Sequence, residues 1–271
     1  TLDRSSAASD VYKRQVENKP GGNATIGPAT VARSTADGYT LLFNASTFLS
    51  GPMISTAVPY QIEKDFQPVA LVAKAPLSVA INKNLPISDM KGLIQYAKAN
   101  PGKMTFAVGS IASAGHLSTE LLKQSAGLDY MIVPYKGTAP AFQDLIGGQI
   151  DAFIDPVLGS LQYHQGGLLK VIATTSKTRI PVLPEVPTVG ETLPGFEFFS
   201  WYGLWAPAGT PAAVIARLNK EVNIALQSEA LTKFSAQGLI LEQRSVDEFK
   251  AFQKIESDKA RKIVDDANIK L

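Results

Sequence analysis

Residues 108–117 read VGSIASAGHL, which sets Ser113 among small residues with His116 three positions on. A serine on a tight small-residue turn from strand to helix is the arrangement of a G-x-S-x-G nucleophile elbow, and this stretch misses that pattern by one glycine, with Ile111 in its place. Acyl transfer at Ser113 needs a histidine free to turn onto the hydroxyl and an acid to orient it. His164 is the only other histidine, in the helix-end context LQYHQGG, and no spacing singles out Asp144, Asp151 or Asp155 as its partner. The same turn can grip instead of react. Gly109 lets a ligand approach the backbone, Ser110 and Ser113 offer hydroxyl donors, and the first N–H groups of the following helix favour an anion such as a carboxylate. His116, three residues after Ser113 on the opening turn of that helix, more naturally faces away or caps.

Two further loops repeat the theme. VPYKGTAPAF passes from a strand into a short helix that Thr138 can cap; Tyr135 supplies an aromatic wall with a hydroxyl, and Lys136 a positive charge that reads equally as a solvated surface lysine. NAST (Asn44, Ala45, Ser46, Thr47) follows the strand-like YTLLF. Ligands of open α/β sheets collect at the carboxyl ends of strands, so three polar loops there, without a nucleophile–base pair, describe a binding site. No H-x-x-x-H or similar spacing surrounds either histidine, which argues against a metal centre. PGGNATIG is neither a Walker A loop nor G-x-G-x-x-G, which argues against nucleotide; no cofactor is expected.

These loops need a frame. Short apolar runs at 39–43, 66–73, 77–82, 104–108, 131–133, 152–154 and 171–174 alternate with helical stretches, the pattern of an α/β protein with strands buried in a parallel sheet. Ser88 can cap the helix that stops at Asn100-Pro101-Gly102, and the helix after Thr138 ends at Gly147-Gly148. Towards the C-terminus come an aromatic extended stretch at 196–204, a helix with Thr210 as cap and Pro211 in its first position, and another opened by the capping box Ser245-Val246-Asp247-Glu248. With 45% hydrophobic and 18% charged residues the chain is globular, and its net charge of +2 is scattered, so nucleic acid is not an expected partner. The absence of cysteine rules out disulfides and thiolate chemistry. Residues 1–15 (TLDRSSAASDVYKRQ) show neither helical nor strand period and no apolar signal core, and they read as a foreign or disordered segment.

Taken in order, VENKPGGNATIGPATVARSTADGYTLLF, VPYKGTAPAFQDLIGGQIDAFID, LPEVPTVGETLPGFEFFSWYGLWAPAGTP and ARLNKEVNIAL resemble the Bug-type extracytoplasmic solute receptors of tripartite tricarboxylate transporters, from Val16 to the C-terminus. The resemblance implies a type II periplasmic binding-protein-like fold: two α/β lobes, 16–73 plus 205–271 and 74–204, closing over a cleft. It implies a periplasmic protein that is not an enzyme and that delivers a small carboxylate (a di- or tricarboxylate, amino acid or aromatic acid) to a membrane permease. By the same resemblance the gripping loop is Gly109, Ser110, Ser113 and His116, of which His116 shapes the loop rather than touching solute. It faces Asn44, Ser46 and Thr47, with Thr138, Asp155 and Trp201 bordering the cleft; Tyr135 joins these ligand-binding positions from the residue reading above. Family members carry a strand, a Pro/Gly-rich loop and a helix before VENKPG; their replacement here by 15 unrelated residues leads us to expect a destabilised first lobe and weakened binding. A transcriptional regulator's effector domain, which shares the two-lobed fold, and a small serine hydrolase are the alternative readings.

Overall fold

The computed structural model describes residues 15–270 except 20, 22, 23 and 56, so the expected foreign segment lies, save residue 15, outside the described residues. In chain order these residues form α1 (Ile26–Ala32), β1 (Leu42–Ala45), α2 (Thr47–Ile54), the single turn α3 (Ile62–Asp65), β2 (Phe66–Asn82), α4 (Met90–Ala99), β3 (Thr105–Val108), α5 (Ala114–Ala126) and β4 (Met131–Pro134). They continue with α6 (Thr138–Gly147), β5 (Ala152–Pro156), α7 (Val157–Gln165), β6 (Leu169–Thr174), β7 (Phe199–Pro207), α8 (Ala212–Ala225), α9 (Glu229–Ser235) and α10 (Val246–Asp266).

The runs 66–73 and 77–82 are one strand of 17 residues. Pro76 suggests a break, because proline cannot donate to a ladder. The chain tolerates it because β2 changes partners there: Phe66 to Pro76 pair with β7, and Leu77 to Asn82 lie between β5 and β6. The Leu77 N–H, left at the junction, donates to the Thr175 hydroxyl at 2.9 Å. Strand order is β1-β7-β2-β5-β3-β4, with β6 also on β2. Among the strands of the described residues only β4, β3 and β5 pair in parallel, so the sheets are mixed and not the parallel sheet expected from the apolar strands.

Two lobes result, each with its own packing. In one, Phe48, Tyr60, Phe66, Trp201, Trp205 and Phe249 form an aromatic core, with Phe48 4.8 Å from Trp205 and 4.9 Å from Phe66 between ring centroids. In the other, Leu77, Val79, Ile81, Phe106 and Ile154 of the sheet meet Leu117 and Leu122 of α5. Phe142, Leu145 and Phe153 fill the opposite face under α6. Helix α10 serves both cores, through Phe249 near its start and Ile263 and Val264 near its end. Burying each such side chain contributes roughly 1.5–3 kcal/mol.

Helix starts fall one residue from several expected caps. Asp89, not Ser88, caps α4 by accepting from the Gly92 N–H at 2.7 Å. Gly137, at φ 107°, precedes α6, so Thr138 is its first residue and caps nothing. The Thr210 hydroxyl donates to the Pro207 carbonyl and Pro211 takes the cap position of α8. Ser245 and Glu248 do form the capping box of α10.

Candidate functional site

Three parallel strands of the second lobe end together. Val108 of β3 lies beside Pro134 of β4, and Ala107 beside Phe153 of β5, so the next residues, Gly109, Tyr135 and Asp155, stand level at the carboxyl edge. The Gly137 N–H donates to the Gly109 carbonyl at 2.8 Å. An added Cβ at Gly109 would come within 3.1 Å of Thr138 Cγ2, so the absence of a side chain is what lets the two loops touch. Gly115 has the same role one turn later, where a Cβ would collide with the Ile154 carbonyl oxygen and push α5 off β5. The starts of α5 and α6 are thereby drawn to one edge. The first N–H groups of each helix lack partners within it and attract negative charge.

The hydroxyls divide into engaged and open. Ser113 caps α5, its Oγ accepting from the His116 N–H at 3.2 Å. The His116 ring turns away from that oxygen: Nδ1 accepts from the Ala112 N–H at 3.1 Å, and Nε2 faces Glu120 Oε1 at 3.8 Å. Burial pushes this imidazole down to about 4, so it is neutral at ordinary pH. Ser113 therefore has no base on its hydroxyl. The Tyr135 hydroxyl is engaged as well, donating to Asp144 Oδ2 at 2.6 Å, and burial followed by that hydrogen bond raises it to about 12. Ser110 and Thr138 make no side-chain hydrogen bond among the described residues, and both sit where the two helices begin.

Asp155 is partly buried, with Oδ2 3.1 Å from where a Cβ would stand on Gly159, and burial pushes its carboxyl up to about 8. Tyr202 of β7 senses it electrostatically. An acid held neutral does not repel an anion, so Asp155 is compatible with a carboxylate at this edge.

The first lobe offers the β1–α2 turn. Asn44 pairs with Gly203, and its Oδ1 accepts from the Ala45 N–H at 2.8 Å. The Ser46 N–H donates to the Trp201 carbonyl at 2.8 Å, while the hydroxyls of Ser46 and Thr47 have no hydrogen-bond partner among the described residues. One turn on, Ser50 Oγ donates to the Ala112 carbonyl at 2.7 Å and joins this turn to the 109–113 loop. Ser50 carries no motif and escaped the sequence reading; its partner is 62 positions away. Trp201 lines a cavity with Ser46 of the first lobe and Ala114 and Leu117 of α5. It is 2% exposed and packs on Trp205, Phe249 and Phe252 because its phase of β7 faces the aromatic core.

No group of three or more His, Asp or Glu side chains among the described residues is placed to hold a metal ion. No helix among them is long and apolar enough to cross a membrane.

Residues 12–269 match the family model described as tripartite tricarboxylate transporter family receptor. The chain is 38% identical over 213 residues to the UPF0065 protein in the tcbD-tcbE intergenic region of Pseudomonas sp. (strain P51), covering 78% of this chain and 63% of that protein. It is 37% identical over 227 residues to protein BugT of Bordetella pertussis, covering 82% and 70% of the two chains. Among solved structures it is similar to R. palustris Rpa4515 with adipate, with a TM-score of 0.89 and 30% identity over 98% of this chain and 90% of that one.

Proposed function

Because this chain belongs to the tripartite tricarboxylate transporter receptor family, of Bug type, we propose that it is a periplasmic receptor that captures a small carboxylate and hands it to a membrane permease. The observation that carries this reading is the junction of the Gly109 and Gly137 turns, which brings the starts of α5 and α6 together with the open hydroxyls of Ser110 and Thr138. A carboxylate fits such a place, since it accepts several N–H and O–H bonds at once and is favoured by both helix dipoles. The adipate carried by the R. palustris protein is a solute of this class. Against a hydrolase stand the Ser113 hydroxyl used as a cap and the His116 ring turned to Ala112. The proposed lobes are 16–73 plus 205–271 and 74–204; the partner exchange of β2 between Pro76 and Leu77 supports that division. Ser46 and Thr47 would meet the solute from the first lobe.

Calorimetric titration with succinate, glutarate, adipate, citrate, aspartate and benzoate tests the reading. At least one carboxylate should bind, and Ser110→Ala and Thr138→Ala should each weaken it by about 1.5–3 kcal/mol, roughly tenfold to a hundredfold, as expected for loss of a hydrogen bond to a charged group. No heat with any member of the panel would overturn it.

A further inference from the structure

Ala112 sits at the centre of the 109–113 turn, fully buried and in the left-handed region at φ 59°. That conformation is unfavourable for a residue with a Cβ and persists only where the surroundings impose it. Here both polar atoms of the residue are held by side chains from different parts of the molecule. The N–H donates to Nδ1 of His116 on α5, within the same lobe. The carbonyl accepts from Oγ of Ser50 on α2, which leaves the β1 strand of the first lobe. Both bonds are buried, so losing either leaves a backbone polar atom without water to replace its partner. His116 accepts at Nδ1 and so carries its proton on Nε2, towards Glu120.

We propose that Ser50 and His116 are positioning residues for the solute site: they clamp Ala112 from the two lobes and hold the 109–113 turn in its solute-receiving shape, so that the shape depends on how the lobes sit together. Neither residue needs to touch the solute. Ser50 acts from the first lobe on a turn whose N–H groups and Ser110 hydroxyl belong to the second. When the lobes shift and Ser50 withdraws, the turn loses one of its two restraints and relaxes, which links solute capture to lobe arrangement. The solute consequence rests on the carboxylate-receptor reading; the restraint of the turn does not.

Hydrogen exchange read by mass spectrometry on the solute-free full chain tests the restraint directly. Ser50→Ala and His116→Ala should each speed exchange in the 109–116 segment by about tenfold, as one lost buried hydrogen bond implies, while the 138–147 segment keeps its rate. His116→Asn should restore slow exchange, because its side-chain oxygen can accept from the Ala112 N–H in place of Nδ1. Far-UV melts of the variants confirm that each is folded. With adipate as the probe, Ser50→Ala and His116→Ala should weaken binding by about tenfold and His116→Asn should recover it. Wild-type exchange at 109–116 in folded Ser50→Ala, or His116→Asn no better than His116→Ala, would overturn the proposal. If the unsubstituted protein takes no carboxylate, the receptor reading fails and the exchange experiment still decides this one.

Discussion

Asp155 is a carboxylic acid at the edge where we propose that a carboxylate binds, and its protonation decides whether it would repel one. Burial holds its carboxyl up to about 8, against an ordinary value of 3.8. Between those values the folded chain keeps a proton that the unfolded chain releases, so the folded state binds more protons and loses stability as pH rises through that window. Above about 8 the acid ionises near Tyr202, and on the proposed reading it would then repel a carboxylate at this edge. Adipate affinity should therefore fall as pH is raised from 7 to 9, and Asp155→Asn should remove that dependence; an unchanged pH profile in the variant would show that Asp155 does not face the solute. Much at this scale was legible. Ser113 was read as a hydroxyl donor in a strand-to-helix loop, and its capping of α5 is a role that reading did not assign. His116 was expected to shape the loop, and its bond to Ala112 is local enough for a sequence to suggest. Ser50 was not legible, because a contact across 62 positions leaves no periodic trace. The packing of Trp201 into the aromatic core was not legible, because FEFFSWYGL carries aromatic residues in both phases and alternation does not say which face is the core.

At the scale of elements, the start of α5 is set by a glycine. Because the Ile154 carbonyl fills the space a side chain at Gly115 would need, Gly115→Ala forces the first turn of α5 away from β5. We expect a stability loss of about 1–3 kcal/mol in urea titration, typical of overpacking, accompanied by loss of carboxylate binding. A variant with normal solute affinity would show that the site does not depend on this approach. Strands and helices were mostly found where apolar period and capping chemistry placed them. The errors have physical causes. Ser88 and Asp89 are both capping residues, and chemistry alone does not choose between neighbours. Gly137 took the position assigned to Thr138 because the chain there needs φ 107°, which glycine alone adopts freely. The runs 66–73 and 77–82 were read as two strands, and a change of ladder partner within one continuous strand is invisible in one dimension.

The molecule as a whole is joined more closely than two lobes suggest. Strand β2 supplies both sheets, and α10 packs Phe249 into one core and Ile263 and Val264 into the other. Unfolding either lobe strips a shared element from its neighbour, so urea denaturation should be a single transition, with tryptophan emission from the aromatic core and far-UV ellipticity coinciding. Two separated midpoints would show that the lobes fold on their own. Within this joined body Pro76 has a mechanical consequence. It offers no N–H, and the next one, on Leu77, is bound to a side-chain hydroxyl and not to a neighbouring strand. Two successive positions of β2 thus donate nothing to its neighbouring strands, while the Leu77 carbonyl still accepts from the Thr175 N–H at 2.9 Å. A torque applied to the two ends of β2 therefore meets fewer bonds at that point, and bending should concentrate there as a scored line directs the folding of card. Such compliance would be local, leaving the fully paired lengths of the sheets on either side stiff.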